Sequence, residues 1–213
     1  MIHQGAYVDT IDNLGLTPLC KAILNSNMEI FDCLLNFGAS ADGDHFTSCI
    51  PLLFACSVGN TEMFDKLLAK KADVNSKGRR GITPLMISCI KGEIDIAMKI
   101  LDTQGVDVNA SLENSGNTSL IIASSRGHIT IVERLLKYRN PSVDINFRNT
   151  RGWTALHAAA DAGMACSAQL LLNSGAQLHI VNKNGWTPLM SAMHRDHKDI
   201  CEILVNEGAN FEA

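Results

Sequence analysis

Short apolar blocks with helical spacing recur along the chain and are separated by glycine. After Pro84, the block LMISCIKG predicts a short helix that ends at Gly92, where the missing side chain suits a left-handed cap. The next block, EIDIAMKIL, predicts an amphipathic helix with an apolar stripe of Ile94, Ile96, Ala97, Ile100 and Leu101. The segment GVDVNA then predicts an extended connection with turns. One unit therefore consists of two short helices and an extended segment.

A three-residue phrase shows that this unit repeats. Thr-Pro-Leu or a near variant recurs at spacings of 33, 33, 35, 36 and 33 residues, beginning at Thr17, Ile50, Thr83, Thr118, Thr154 and Thr187. A threonine hydroxyl there can accept from the first free N–H groups of a helix, and proline suits the first helical position. Because isolated helices this short are marginal in water, neighbouring units must cover their apolar faces. The sequence therefore predicts an all-α solenoid.

The repeat resembles the ankyrin repeat, in which a β-turn and two antiparallel helices carry the phrase T-P-L-H-x-A within about 33 residues. Its best copy is GWTALHAAADAG, which begins at Gly152. The resemblance implies one domain over residues 1–213, an ankyrin-repeat solenoid of stacked helix-turn-helix units with projecting β-turn fingers. The expected repeats are 12–44, 45–77, 78–112, 113–148, 149–181 and 182–213. Residues 1–11 match the tail of a preceding repeat, so we expect a fragment of a longer protein.

Departures from the ankyrin pattern are local. His157 is the only histidine at its motif position, which elsewhere carries Cys20, Leu53, Met86, Ile121 and Met190. Ile50 replaces the first threonine of the second repeat, so that helix should start without a hydroxyl cap. Repeat three carries extra residues near Gln104 and Leu112, and repeat four carries extra residues at 139–142, where Pro141 should stop a helix.

Composition narrows the class of protein. The 213 residues are 46% hydrophobic and 19% charged with a formal net charge of −4, which indicates a soluble folded chain and argues against general nucleic-acid binding. The seven cysteines have no metal-ligand spacing, and most lie among apolar residues. They indicate reduced core thiols in a cytoplasmic or otherwise intracellular protein. No apolar run is long enough to span a membrane, and the amino terminus does not resemble a signal peptide.

Motifs of catalysis are missing. The chain has no phosphate-binding loop, dinucleotide fingerprint, zinc-protease motif or hydrolase elbow, so we predict no enzymatic activity and no cofactor. His194 and His197 have near metal-ligand spacing, but the repeat frame puts them across the turn between two helices, so no metal site is predicted. His197 aligns with His128, where the family commonly has a capping histidine. For His157 we predict a structural hydrogen bond rather than a role as a base.

The resemblance also implies where a partner binds. Ankyrin repeats usually bind proteins on a concave face formed by the fingers and the first helices, so we predict a non-catalytic protein–protein interaction module that acts as a monomer. Carried over repeat by repeat, this face begins with apolar residues, namely Leu14, Leu16 and Phe46. It continues with cations, namely Arg79, Arg80, Lys91, Arg126, Arg151, Lys183 and Arg195, against the single acid Asp161. Trp153 and Trp186 occupy equivalent finger positions, and tryptophan and arginine are enriched at binding hot spots. The predicted partner is an acidic protein segment with an apolar portion.

The same residues allow other interpretations. In the family, aromatic residues at the finger position often pack on the neighbouring finger, and the cations could form a solvated face. The chain could also be the recognition arm of a larger enzyme, a ubiquitin-ligase adaptor or a bacterial effector. Binding of anionic lipid or nucleic acid through the cations is less favoured, because the net charge is negative.

Two asparagines raise a separate hypothesis. The sequence Asp-Val-Asn occurs at 73–75 and 107–109, at the base of two fingers. The resemblance makes Asn75 and Asn109 candidate sites for an asparaginyl hydroxylase. The alternative is that they stabilise the turns through hydrogen bonds from the side chain to the backbone.

Overall fold

The computed structural model describes residues 7–43, 49–139 and 142–210. Within these ranges the chain forms an all-α repeat solenoid, as predicted, and contains a 3-10 turn at Arg79–Gly81 but no sheet. The α-helices come in pairs, one pair for each phrase. They are α1 Pro18–Leu24, α2 Met28–Asn36, α3 Pro51–Val58, α4 Thr61–Ala69, α5 Pro84–Lys91, α6 Ile94–Asp102, α7 Ser119–Arg126, α8 Ile129–Lys137, α9 Ala155–Ala162, α10 Ala165–Asn173, α11 Pro188–His194 and α12 Lys198–Asn206.

Threonine caps start the first helix of most pairs, as the sequence predicts. The hydroxyl oxygen of Thr17 accepts from the backbone N–H of Cys20 at 3.3 Å, and Thr154 does the same for His157 at 3.4 Å. Helix α3 is the exception, because Ile50 at its cap offers no side-chain acceptor. The missing hydroxyl cap of the second repeat is therefore confirmed. Pro141, expected to stop a helix, lies outside the described residues, and α8 ends before it at Lys137.

The chain divides into two compact units, Met1–Ser88 and Cys89–Ala213, and the division falls within α5. In the first unit, α1 packs against both α2 and α3, and α3 packs against α4. The core of this unit consists of fully buried apolar side chains, among them Leu19, Ile23, Phe31, Leu52, Phe64 and Leu67. Burial of each such side chain contributes roughly 1.5–3 kcal/mol, which neither helix of a pair could obtain alone.

The second unit has two layers of helices. In one layer α7 packs against α9, and α9 packs against α11. In the other layer α8 packs between α6 and α10, and α10 packs against α12. The first helices of successive repeats thus lie side by side, and the second helices do the same behind them. This arrangement brings the fingers that precede α7, α9 and α11 next to one another.

All seven cysteines lie in the described residues, and their side chains are reduced thiols. Four of them lie in the core, as expected from their apolar neighbours: Cys20, Cys49, Cys56 and Cys89. Cys33 on α2 and Cys166 on α10 are exposed, and Cys201 is half-buried.

Candidate partner-binding groove

In the first, fifth and sixth fingers, one side chain accepts two backbone N–H groups and so organises the turn. The Asn149 Oδ1 atom accepts from the backbone of Arg151 at 2.9 Å and of Trp153 at 2.8 Å. Asn182 accepts from Asn184 at 2.8 Å and from Trp186 at 3.1 Å. In the first repeat, Asp12 holds Leu14 and Leu16 in the same way.

These finger-organising residues are not among the residues predicted from the sequence, although the sequence carries a signal for them. Asp12, Asn149 and Asn182 each stand five residues before the capping threonine, with glycine between them. Those glycines adopt positive φ angles of 75°, 75° and 77°, at Gly15, Gly152 and Gly185. The pattern [D/N]-x-x-G-x-T therefore combines a side-chain acceptor with the backbone freedom that the turn needs.

Hydrogen bonds join the three fingers of the second unit into a row. The main-chain oxygen of Ser115 accepts two hydrogen bonds from Thr150, one from its backbone N–H at 3.0 Å and one from its hydroxyl at 2.8 Å. One finger further along, the Lys183 N–H donates to the Arg151 oxygen at 3.0 Å. Because each finger is bonded to its neighbour, their tips form a pre-organised surface rather than three independent loops.

The two tryptophans lie half-buried on this row. The Trp153 ring stacks on the His157 ring, with centroids 6.4 Å apart and an interplanar angle of 28°. The Trp186 ring tilts against the exposed His194, with centroids 4.8 Å apart. Each ring thus rests on the first helix of its own repeat and keeps part of its surface in solvent.

Two grooves flank the fifth finger. One of about 440 Å³ lies between the fourth and fifth repeats, with Asn114, Ser115, Asn117, Ile121, Ser125, Asn149, Thr150, Arg151, Trp153, Ala158, Asp161 and Ala162 in its walls. A second groove of about 360 Å³ lies towards the sixth finger, lined by Thr150, Arg151, Trp153, Lys183 and Asn184. Of the surface predicted for repeats four and five, the grooves bring together Arg151, Trp153 and Asp161 but not Arg126, and Arg151 and Trp153 line both grooves.

The predicted cations are all exposed. In the second unit, Arg195 differs from the others because it forms a bidentate pair with Asp161, at 2.9 Å from Nε and 3.2 Å from the terminal nitrogen. This pair joins the fifth and sixth repeats, so the only acid of the predicted surface neutralises one of its cations. Lys91, Arg126, Arg151 and Lys183 remain as exposed positive charge on this unit.

The candidate residues of the first unit are more scattered. Leu14 is 82% exposed at the tip of the first finger, whereas Leu16 is half-buried. Arg79 and Arg80 form the tight 3-10 turn of the third finger, where Arg80 has a positive φ of 61°. Phe46 lies outside the described residues.

A family model described as ankyrin repeats (3 copies) matches residues 1–78, 52–146 and 138–213. These matches cover the whole length of the chain. The chain belongs to the ankyrin repeat family. Ankyrin repeats are generally protein–protein interaction modules, and the family is generally non-catalytic.

Three known proteins each match about a third of this chain. Delta-latroinsectotoxin-Lt1a of Latrodectus tredecimguttatus is 37% identical over 76 residues, which are 36% of this chain and 6% of the toxin. The ankyrin repeat and KH domain-containing protein mask-1 of Caenorhabditis elegans is 37% identical over 78 residues, 36% of this chain and 3% of its own length. Ankyrin repeat-containing protein ITN1 of Arabidopsis thaliana is 33% identical over 81 residues, 36% of this chain and 14% of that protein. The matched part is thus a small fraction of each relative.

The ankyrin motif histidine His157 is structural, as predicted. It is completely buried and forms a capping box with Thr154, whose hydroxyl lies 2.9 Å from Nδ1. The other ring nitrogen, Nε2, lies 3.0 Å from the main-chain oxygen of Trp186 in the next finger. Burial lowers the pKa of His157, the Trp186 hydrogen bond opposes this shift, and the nearby Arg148 charge adds to it. The imidazole is therefore held neutral between two repeats.

His128 and His197 occupy the N-cap positions of α8 and α12, but capping by their side chains is wrong, because neither side chain makes a capping hydrogen bond there. Their rings instead cover the glycine that ends the first helix of the preceding pair. A Cβ added at Gly163 would lie 2.8 Å from His197, and one added at Gly92 would lie 2.7 Å from His128. His197 Nε2 also lies 3.1 Å from the main-chain oxygen of Asp161. These histidines act as spacers between successive ankyrin repeats.

Asn109 is engaged in the ankyrin stack. Its side-chain amide nitrogen donates to the main-chain oxygen of Ser142 at 2.9 Å, and its Oδ1 accepts from the backbone N–H of Asp144 at 2.9 Å. Asn75 is half-buried, and its N–H donates to the Asp73 carboxylate at 2.9 Å. The turn-stabilising alternative therefore has direct support at Asn109, and hydroxylation of Asn75 and Asn109 stays a prediction.

Two further observations concern the described part of this ankyrin chain. It contains no group of three or more histidine, cysteine, aspartate or glutamate side chains that could hold a metal ion. In the same residues, no helix has the length and apolar character that a membrane crossing requires.

Proposed function

We propose that the two grooves around the fifth finger bind an acidic segment of a partner protein. The observation that carries this proposal is the position of Arg151 and Trp153, which line both grooves. A partner that occupies both grooves would meet a cation and a large aromatic surface at its centre. Interface energy concentrates in such central tryptophan and arginine residues.

The lining of the larger groove favours an extended segment. Its walls are rich in side-chain amides and hydroxyls, from Asn114, Ser115, Asn117, Ser125 and Thr150. These groups can donate to and accept from a peptide main chain, which an extended segment exposes and a helix does not. The apolar Ile121 and Ala158 offer a floor for one apolar side chain of the partner.

Charge favours an acidic partner. Arg151 and Lys183 are exposed on the grooves, and Asp161 is occupied by Arg195. No carboxylate of the larger groove is thus left to compete with an incoming acidic side chain. Such exposed charges mainly raise the association rate and set specificity.

Affinity capture with the folded double variant Trp153→Ala, Trp186→Ala tests this proposal. A partner retained by the wild type and lost by the variant is expected, with at least a tenfold loss of affinity because each hot-spot truncation costs on the order of 2 kcal/mol. Phe37→Ala is the matched control. Phe37 is an exposed aromatic residue at the C-terminal end of α2, in the first unit and not among the residues that line the grooves. Equal capture by wild type and double variant would contradict the proposal.

A second candidate is that this chain is the recognition arm of a larger enzyme, adaptor or effector. The small share of each relative that it matches, from 3% to 14% in the three proteins above, supports this candidate. Intact mass of the native protein, followed by activity assays on the whole molecule, tests it. Anionic lipid or nucleic acid would instead give binding that the tryptophan variant retains and that salt weakens steeply.

A further inference from the structure

Cys20 and Cys49 occupy positions that correspond to His157 and Trp186. Cys20 stands at the motif-histidine position of the first repeat, and Cys49 immediately precedes the cap of the next helix, as Trp186 does. Both pairs are 29 residues apart in the sequence. Between the fifth and sixth repeats, this position pair forms a contact between the His157 ring and the Trp186 main-chain oxygen. Between the first and second repeats, the same positions bring two thiols together.

The two sulfur atoms are in direct contact. Their Sγ atoms lie 2.9 Å apart, and the side chains are 0% and 2% exposed. Thr17 holds Cys49 in this position, because its backbone N–H donates to the Cys49 sulfur at 3.3 Å and its hydroxyl lies 3.7 Å from the same sulfur. A covalent bond of about 2.05 Å therefore requires only a small approach of two atoms that already face each other.

We propose that Cys20 and Cys49 are an oxidisable pair that forms a disulfide between the first two repeats. A hydroperoxide is the oxidant. One thiolate attacks the terminal peroxide oxygen and gives a sulfenic acid with release of an alcohol or water. The second thiol then displaces water from the sulfenic sulfur. Two thiols and one hydroperoxide yield one disulfide, one water and one alcohol, or two waters when the oxidant is hydrogen peroxide.

Burial makes oxidation of the pair slow in the folded protein and faster when the chain is unfolded. Burial raises the pKa of Cys20, and the hydrogen bond with Cys49 adds to the increase. Since the thiolate is the reactive form, the pair reacts more slowly in the folded protein than the exposed Cys33 and Cys166. The same burial shields the finished disulfide from reducing thiols.

The disulfide adds a covalent cross-link between the first two repeats. It closes a loop of 29 residues and ties α1 to the start of α3, where Ile50 leaves the helix without a hydroxyl cap. A loop of this size restricts the unfolded chain, so the oxidised protein unfolds at a temperature several degrees higher than the reduced protein.

The experiment treats the reduced full chain with hydrogen peroxide in two arms, one folded and one during refolding from denaturant. Remaining thiols are alkylated under denaturing conditions, and trypsin with chymotrypsin cleaves after Lys21, Phe37, Phe46 and Phe54. These cuts leave Cys20, Cys33, Cys49 and Cys56 on separate peptides. The Cys33→Ser, Cys166→Ser background removes the exposed thiols that would link two molecules.

The expected result is a cross-linked peptide that contains Cys20 and Cys49, together with a higher Tm that a reductant reverses. Cys49→Ser should abolish both, whereas Cys89→Ser, another buried thiol, should leave both intact. If Cys20 and Cys49 are recovered separately alkylated from the refolding arm, where access is not limiting, the proposal is overturned. A Tm increase that persists in Cys49→Ser would overturn it as well.

Discussion

The Nε2 atom of His157 lies 3.0 Å from the main-chain oxygen of Trp186, while Nδ1 faces the Thr154 hydroxyl at 2.9 Å. The Trp186 oxygen can only accept, so Nε2 carries the proton, and Nδ1 is the acceptor towards Thr154. One side chain thus completes the cap of α9 and links it to the next finger. Loss of this link should affect both the stability of the protein and its dependence on pH.

His157→Ala is expected to reduce the free energy of unfolding by about 1–3 kcal/mol, because the Trp186 oxygen and the start of α9 lose their partner. Urea unfolding at neutral pH measures this loss. His179→Ala is the control, since His179 is exposed, and it should change stability by less than about 0.5 kcal/mol. Equal stability of the two variants would show that the buried imidazole contributes nothing.

Acid should destabilise the folded protein in the range where histidine titrates. Burial lowers the pKa values of both His157 and His128, so the unfolded chain binds protons at a higher pH than the folded chain does. The stability is therefore complete above about pH 6.5 and falls as pH decreases through the folded pKa values. Urea midpoints between about pH 7.5 and about pH 5 measure the slope, which His157→Ala should reduce. A slope unchanged by that substitution would assign the acid sensitivity elsewhere.

Asn182 should be more important than its neighbour Asn184. The Asn182 side chain is 4% exposed and holds two N–H groups of the sixth finger, whereas the Asn184 side chain is exposed at the tip. Asn182→Ala is expected to cost about 1–3 kcal/mol because two donors lose their acceptor, and Asn184→Ala should be close to neutral. Asn182→Asp keeps the acceptor that Asp12 provides in the first repeat, and should cost less than Asn182→Ala. Thermal unfolding of the three variants gives the order.

Alanine substitutions at two glycines with nearly the same φ angle distinguish the cost of backbone strain from the cost of a steric clash. Gly163 and Gly185 have φ values of 76° and 77°, but only Gly163 has a neighbour where a Cβ would stand, the His197 ring at 2.8 Å. Alanine at either position costs about 1–2 kcal/mol for the left-handed backbone. Gly163→Ala should cost at least about 1 kcal/mol more, because the His197 ring must move. Identical chemical unfolding of the two variants would mean that the ring yields freely.

Reversal of groove charge should slow association with an acidic partner. Arg151→Glu with Lys183→Glu is expected to reduce the association rate at least tenfold at low salt, and the difference should shrink as salt screens the charges. Lys137→Glu with Lys198→Glu changes the net charge equally at the ends of second helices and should have a small effect. Rate constants measured by surface plasmon resonance at two salt concentrations compare the pairs. Similar slowing by both pairs would point to net charge rather than to the groove.

The repeat period, the helix pairs and most helix caps follow from the sequence alone, because they depend on residues within a few positions of one another. Thr17 and Thr154 cap helices through N–H groups three residues away, and Ile50 fails to do so for the same local reason. The resemblance to ankyrin repeats could therefore be read from the phrase and its spacing.

The tertiary structure decided which side chains meet across repeats. Arg195 neutralises Asp161, His197 covers Gly163, and Cys20 touches Cys49, although each of these pairs is about 30 residues apart in the sequence. Such contacts depend on how one pair of helices stacks on the next, which the hydrophobic pattern requires but does not specify atom by atom. The sequence thus determined an ankyrin stack with a cationic finger row. Stacking decided which of its charges remain exposed, and which thiols and histidines link one repeat to the next.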